Sequence, residues 1–145
     1  MRFVAPTNQP DLLTQKLKVM STQVETMSVQ EVAHKLVELC REGKHNEAIN
    51  ELYDEHAVSL EPEGSPMPRT EGRDAILKAT EQWFSSVEEL HSAHTSDPVV
   101  GGDYFACGMD FDVTYKEQGR MAMKELAVYG VKDGKIVSSQ FFYNM

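Results

Sequence analysis

The hydrophobic pattern of the chain changes from a helical period to alternation near residue 87. Before that point, apolar residues recur at steps of three and four, as in helices with one buried face. After it, apolar and polar residues alternate, as in half-buried β-strands, over four long segments: residues 87–99, 103–115, 120–131 and 135–143. Helices followed by a run of antiparallel strands predict an α+β fold, in which the helices cover one face of a curved sheet.

Local signals mark the ends of the helices. Residues 28–31 read SVQE, a capping box in which the serine and the glutamate each bond a backbone amide at the other end of the motif. We expect a helix from there to Gly43, because glycine is a frequent residue just past a helix end. A shorter helix is predicted over residues 45–53, a brief strand over 57–61, and a third helix after Gly72.

The first 27 residues are predicted to be an arm outside the main domain. Apolar residues at helical spacing run through it and indicate a helix: Leu13, Leu17, Met20, Val24 and Met27. The alternative is a leader that precedes a start at Met20 or Met27. Residues 28–145 are then predicted to form one domain, a suitable length for a single core.

Charge and composition argue against several classes of protein. The chain of 145 residues carries a net charge of −9, whereas nucleic acids and anionic membranes attract basic surfaces. It has no apolar run near the roughly 20 residues that span a bilayer and no apolar segment typical of a secretory signal. Its two cysteines, Cys40 and Cys107, provide no disulfide framework. We therefore expect a cytoplasmic protein that binds neither nucleic acid nor membrane.

Acidic residues gather on one predicted strand face. If Tyr115 pairs with Arg120 across the turn between the second and third long strands, Asp110 lies opposite Glu125. One face then carries both acidic and other side chains: Asp110, Asp112, Glu125, Met121, Met123, Ala127 and Tyr129. Two interpretations stay open, a solvated outer face or a pocket in which the carboxyl groups raise one another's pKa.

The facing of the last strand depends on its turn. A two-residue turn at Asp133-Gly134 points Gln140 and Phe142 toward the pocket face. A three-residue loop with a bulge points Phe141 and Tyr143 there instead.

Three segments resemble the nuclear transport factor 2-like superfamily, and within it the polyketide-cyclase-like (SnoaL-like) branch. They read ELYDEHAVSLEPEG, GRDAI and AVYGVKDGKIVSSQFFY, and the resemblance extends over about residues 28–144. It implies a cone-shaped cystatin-like roll, a curved antiparallel sheet wrapped around about three helices, with a blind apolar pocket inside. It also implies a homodimer and favours the second facing of the last strand.

The resemblance to ketosteroid isomerases implies a role for Glu61. This residue stands where those enzymes carry the acid that shuttles a proton, and a dry pocket would raise its pKa toward working pH. Three of the six prolines follow it and are expected to stiffen the pocket rim. Val37 and Ala127 stand where the isomerases carry their oxyanion donors, so that pair is missing.

The resemblance to limonene epoxide hydrolases is also incomplete. Asp112 stands at one of their two catalytic aspartates, but Asp110 replaces the arginine and Phe141 replaces the second aspartate. The acid that polyketide cyclases carry on the last strand also falls near Phe141 and is absent. The superfamily fold nevertheless turns the face with Asp112 and Glu125 toward the interior, which favours the pocket interpretation.

These observations predict a protein that holds a small apolar molecule in an internal pocket. As an enzyme it would be an isomerase, cyclase or hydratase, with Glu61 as base and a protonated Asp112 or Glu125 as donor. The pocket is expected to be lined by Tyr53, Trp83, Asp110, Met123, Ala127, Tyr129 and Phe141. The alternative is a non-catalytic binding or dimerisation module. We expect no metal and no cofactor, and a homodimer formed through the outer sheet face, since helices can cover only one face.

Overall fold

The computed structural model describes residues 26–145, which form three helices and one seven-stranded sheet. The helices are α1 (Val29–Arg41), α2 (His45–Leu52) and α3 (Arg73–Ser85). The strands are β1 (Tyr53–Leu60), β2 (Arg69–Glu71), β3 (Val87–Thr95), β4 (Val99–Gly101), β5 (Tyr104–Tyr115), β6 (Gly119–Lys132) and β7 (Lys135–Phe142). The predicted α+β class is confirmed. The helix predicted in the N-terminal arm lies outside the described residues.

The capping box at the start of α1 forms as predicted. The Glu31 amide donates to Ser28 Oγ at 3.1 Å, and the Ser28 amide donates to Glu31 Oε1 at 2.9 Å. Gly43, with a φ of 75°, follows the helix end, because this left-handed conformation suits glycine better than other residues. Helix α2 begins two residues later, so α1 and α2 pack as a short helical pair.

The sheet is mixed rather than wholly antiparallel. Its strands lie in the order β2-β1-β7-β6-β5-β3, and β4 pairs with β5. All pairs are antiparallel except β1 with β7, which run in the same direction. The first and last long strands of the domain are thereby joined, which the sequence pattern of consecutive hairpins could not indicate. Within residues 26–145, no helix is long and apolar enough to cross a bilayer.

The core lies between the helices and the inner face of the sheet. Strand β5 points Phe105, Cys107 and Val113 into it, and each is almost completely buried. The Phe105 ring stacks on Tyr129 of β6 with a centroid distance of 4.7 Å. Helix α1 closes the core with Leu36 and neighbouring apolar residues.

The predicted register between β5 and β6 is wrong by one residue. Tyr115 pairs with Gly119 instead of Arg120, so the loop between them has three residues. Gly119 has a φ of 79°, a conformation that glycine adopts at little cost and that lets the chain turn one residue earlier.

This one-residue difference changes which side chains share a face. Glu125 lies opposite Met109 and points to the inner face with it, whereas Asp110 lies opposite Lys124 and belongs to the outer face. Asp112 follows Asp110 by two residues and faces outward as well. The prediction that the three acids share a face is therefore wrong.

The last hairpin combines features of both predicted alternatives. Its turn has two residues, Asp133 and Gly134, with φ values of 51° and 76°, as in the tight turns that match strand twist. One residue of β7, Val137, is then inserted as a bulge between paired positions. The bulge reverses the facing of the later residues of the strand, so Phe141 and Tyr143 point inward as the family resemblance implied.

Candidate functional site

A cavity of about 470 Å³ lies between the helices and the inner sheet face. Most of its wall is apolar: Leu36, Cys40, Ala48, Ile49, Met67, Ile76, Ala79, Trp83, Phe84, Met109, Phe111, Met123 and Phe141. The polar side chains in the wall are Glu61, Glu125, Tyr143, Tyr53, Tyr129, His45, Ser59, Ser65, Thr70, Thr80 and Gln82. Such a volume is within the range of small-molecule sites, which are mostly apolar with a few converging polar groups.

Glu61 enters the cavity wall just after the end of β1. Its amide donates to the carbonyl of Pro68 at 2.9 Å, which holds the two ends of the proline-rich loop together. Burial raises the pKa of the Glu61 carboxyl, and the Tyr143 hydroxyl opposes that shift by donating to Glu61 Oε1 at 3.1 Å. From this loop, Pro66 and Met67 also line the cavity.

Glu125 is the second carboxyl in the wall and is partly buried. Burial, and next the negative charge of Glu61, raise its pKa from 4.5 to about 7. Burial also raises the pKa of Tyr143 well above its usual range, so this phenol keeps its proton. Near neutral pH Glu125 therefore keeps its proton in part of the molecules.

Trp83 is fixed in the helical wall by hydrogen bonds that end on the sheet. Its indole Nε1 donates to the Tyr115 hydroxyl at 3.1 Å, and that hydroxyl donates to Met123 Sδ at 2.8 Å. The chain of bonds ties α3 to β5 and β6 on one side of the cavity.

His45 places its imidazole ring among aromatic side chains of the cavity wall. It lies 5.4 Å from Phe84 and 6.1 Å from Phe111, measured between ring centroids. Burial lowers its pKa, so the ring is neutral at physiological pH. No lysine or arginine lines the cavity among the residues that the structure describes.

Seven of the predicted site residues line the cavity: Glu61, Glu125, Tyr53, Trp83, Met123, Tyr129 and Phe141. Three do not. Asp110 and Asp112 face outward because of the shifted register, and Ala127 is completely buried in the core. The carboxylate of Asp112 accepts two hydrogen bonds from Arg120 at 2.9 and 3.1 Å, and these lower its pKa.

Two residues of the site, Tyr143 and His45, had no role assigned from the sequence. The available signal for Tyr143 was its position two residues after Phe141 on the last strand, which gives both the same face. His45 gave no such signal, because its burial arises from packing of α2 on α3 and the sheet.

Other reactive groups contribute little to the site. The Cys40 and Cys107 thiols are buried, which raises their pKa to about 12 and about 11, so both stay protonated. In the described part of the chain, no group of three or more histidine, cysteine, aspartate or glutamate residues is arranged to hold a metal ion.

Comparisons with known proteins agree with this architecture. Residues 27–143 match the family model for the SnoaL-like domain. A candidate SnoaL-like polyketide cyclase from Mesorhizobium loti, which also carries the name carbohydrate phosphatase, is 34% identical; the match covers 81% of this chain and 100% of that one, with a TM-score of 0.75. No curated protein matches the chain.

More distant structures share the fold alone. A Xanthomonas campestris protein of unknown function with a cystatin-like fold is 14% identical, over 82% of this chain and 92% of that one, with a TM-score of 0.70. A hypothetical protein with a ketosteroid isomerase-like fold from Catenulispora acidiphila is 15% identical, over 79% of this chain and 86% of that one, with a TM-score of 0.64. By its family match and its Mesorhizobium relative, the chain belongs to the SnoaL-like domain family.

Proposed function

We propose that the cavity binds a small, largely apolar molecule and moves a proton at a carbon atom next to a carbonyl group. Glu61 would act as general base and Glu125 as general acid. The observation that carries this proposal is the presence of two carboxyls in one mostly apolar cavity, with no lysine or arginine in the described part of its wall. Neighbouring acids in such a site divide into one ionised and one protonated group.

The assignment of roles follows from the partners of each carboxyl. The Tyr143 hydroxyl bonds Glu61 and favours its ionised form, which is the form that accepts a proton. No described residue donates a comparable hydrogen bond to Glu125, and its pKa of about 7 keeps a proton available near neutral pH. A general acid is most effective when its pKa is close to the working pH.

The proposed reaction conserves protons. Glu61 takes the proton from the carbon next to the carbonyl while Glu125 gives its own proton to the carbonyl oxygen, which produces a neutral enol. In an isomerisation the substrate also carries a carbon–carbon double bond next to that carbon, so the enol is a conjugated dienol. Glu61 then returns its proton to the far end of the dienol, and Glu125 recovers a proton from the enol oxygen. Burial removes part of the solvation of both carboxyls, which strengthens their electrostatic interaction with the reacting atoms.

A second candidate function is binding without catalysis. The resemblance to ketosteroid isomerases assigns their oxyanion donors to the positions of Val37 and Ala127, and both residues are buried apolar side chains here. If Glu125 does not replace those donors, the cavity would hold its ligand without turnover.

The experiment is hydrogen exchange of β-tetralone in deuterium oxide, followed by proton NMR. The wild-type protein should accelerate exchange next to the carbonyl, and Glu61→Gln should lose roughly a hundredfold or more of that acceleration. Glu63→Gln is the matched control, because Glu63 lies on the same loop and is exposed. Binding of β-tetralone without any acceleration would support the non-catalytic alternative, and absence of binding would refute both functions.

We also propose that a second copy of the chain covers the outer sheet face. Tyr104, Leu126 and Phe142 are 60%, 47% and 48% exposed there, and Leu126 lies directly opposite Phe142. The helices occupy the other face of the sheet. An apolar surface of this kind on a small domain is typical of a protein interface.

A further inference from the structure

Four hydroxyl groups form a row across the inner face of the sheet. Tyr129 of β6 lies opposite Ser139 of β7, Ser139 lies opposite Ser59 of β1, and Ser59 lies opposite Thr70 of β2. Directly paired residues of neighbouring strands point to the same face. Tyr129, Ser59 and Thr70 line the cavity, so the row crosses its sheet-side wall. We call these four residues the hydroxyl row.

One member of the row, Ser139, is buried and does not line the cavity. Ser139 is 1% exposed, and no described residue bonds its Oγ in hydrogen-bond geometry. The Tyr53 phenol lies close enough for Ser139 and Tyr129 to lower its pKa, although burial raises that pKa more strongly. Ser139 does not line the cavity, whereas Tyr129, Ser59 and Thr70 do, so these three hydroxyls are the members of the row that can reach polar atoms of a ligand.

The other polar groups of the cavity define the charge that such a ligand can carry. Glu61 and Glu125 supply negative charge, His45 is kept neutral by burial, and the described wall contains no lysine or arginine. A carboxylate or phosphate placed beside these acids in an apolar cavity would be repelled. Hydroxyl groups, in contrast, can donate to or accept from an uncharged oxygen.

We propose that the hydroxyl row is a binding subsite for the oxygen atoms of an uncharged ligand, whose apolar face lies against the helical wall. This inference shares one assumption with the proposed function, namely that the cavity is the ligand site. It does not require the ligand to react. The ligand class is an uncharged ring compound with a carbonyl or hydroxyl oxygen on the edge that faces the sheet.

Three probes with one carbon skeleton test the proposal: tetralin, β-tetralone and tetralin-β-carboxylate. Binding is measured by titration against the indole N–H resonance of Trp83, the single tryptophan of the chain, which lines the cavity. One hydrogen bond should make the affinity for β-tetralone about fivefold to tenfold higher than for tetralin. The carboxylate should bind at least about tenfold more weakly than β-tetralone at about pH 8, which is above the pKa of about 7 of Glu125.

Two substitutions remove hydroxyl groups from the row with little change in shape. Tyr129→Phe and Thr70→Val should each reduce the preference for β-tetralone over tetralin, without weakening tetralin itself. Thr80→Val is the control within the cavity, because Thr80 lines it from α3. Tyr104→Phe is the control for the tyrosine, because Tyr104 lies exposed on the outer face. Both controls should keep the preference.

The outcomes separate this inference from the proposed function. A preference for β-tetralone that is reduced by both row substitutions and by neither control supports the hydroxyl row. Equal affinity for tetralin and β-tetralone, or a preference that persists in Tyr129→Phe and Thr70→Val, overturns it while ligand binding stands. Equal or tighter binding of the carboxylate overturns the assignment to uncharged ligands. If none of the three probes binds, both the inference and the proposed function are refuted.

Discussion

Replacing Glu125 by glutamine should stabilise the folded protein at neutral and alkaline pH, but not at acidic pH. The folded protein raises the pKa of this carboxyl from 4.5 to about 7, so the native state holds its proton more tightly than the unfolded chain does. Stability contributed by that proton is complete below about pH 4.5, declines as the unfolded chain ionises, and is lost once the pH exceeds about 7. Since one pKa unit corresponds to about 1.4 kcal/mol, ionised Glu125 costs about 3 kcal/mol.

The assay is urea unfolding followed by tryptophan fluorescence, at a series of pH values from about 4.5 to about 9. The free energy of unfolding of Glu125→Gln should exceed that of the wild type by about 3 kcal/mol at about pH 8. At about pH 4.5 the two values should be almost equal, because glutamine resembles the protonated acid. Glu117→Gln removes the same charge at an exposed site and should change stability by less than about 0.5 kcal/mol. An equal difference at both pH values, or none at about pH 8, would refute the argument.

Three further predictions concern the rest of the domain. Ser28→Ala should lower the free energy of unfolding by about 1 kcal/mol, because it removes the cap of α1; an unchanged urea midpoint would contradict this. Asp112→Asn breaks the exposed ion pair with Arg120 and should change the free energy of unfolding little, because solvent screens such pairs; it should leave β-tetralone affinity unchanged, and a loss of affinity would return Asp112 to the site. Leu126→Glu should convert a wild-type dimer to a monomer in light scattering, whereas a wild-type monomer at micromolar concentration would refute the proposed interface.

Local sequence signals predicted the helices well. The capping box at Ser28 and the glycine at position 43 act within a few residues, so the bounds of α1 could be inferred directly. The α+β class followed from the change of hydrophobic period, which each strand carries in its own sequence.

Strand register could not be predicted in the same way. The turn at Gly119 and the bulge at Val137 each add or remove one residue from a pairing, and one residue is enough to reverse a face. For this reason Asp110 and Asp112 were assigned to the wrong face, while Glu125 entered the cavity with Met109 instead.

The constellation around the carboxyls depends on contacts between distant parts of the chain. Glu61 and Tyr143 are 82 residues apart, and they meet because β1 runs parallel to β7. The family resemblance indicated a role for Glu61, because this residue lies within a single matching segment, ELYDEHAVSLEPEG. The hydroxyl row depends on the pairing of four strands, which periodicity alone does not specify.

The most direct test of the proposed chemistry is an NMR titration of the glutamate carboxyl carbons, assigned with Glu61→Gln and Glu125→Gln. We expect the Glu125 resonance to titrate at about pH 7, and its midpoint to fall in Glu61→Gln, because that change removes the negative charge beside it. If the Glu125 resonance titrates below about pH 5, as exposed glutamates do, Glu125 does not keep a proton near neutral pH and the acid–base assignment is wrong.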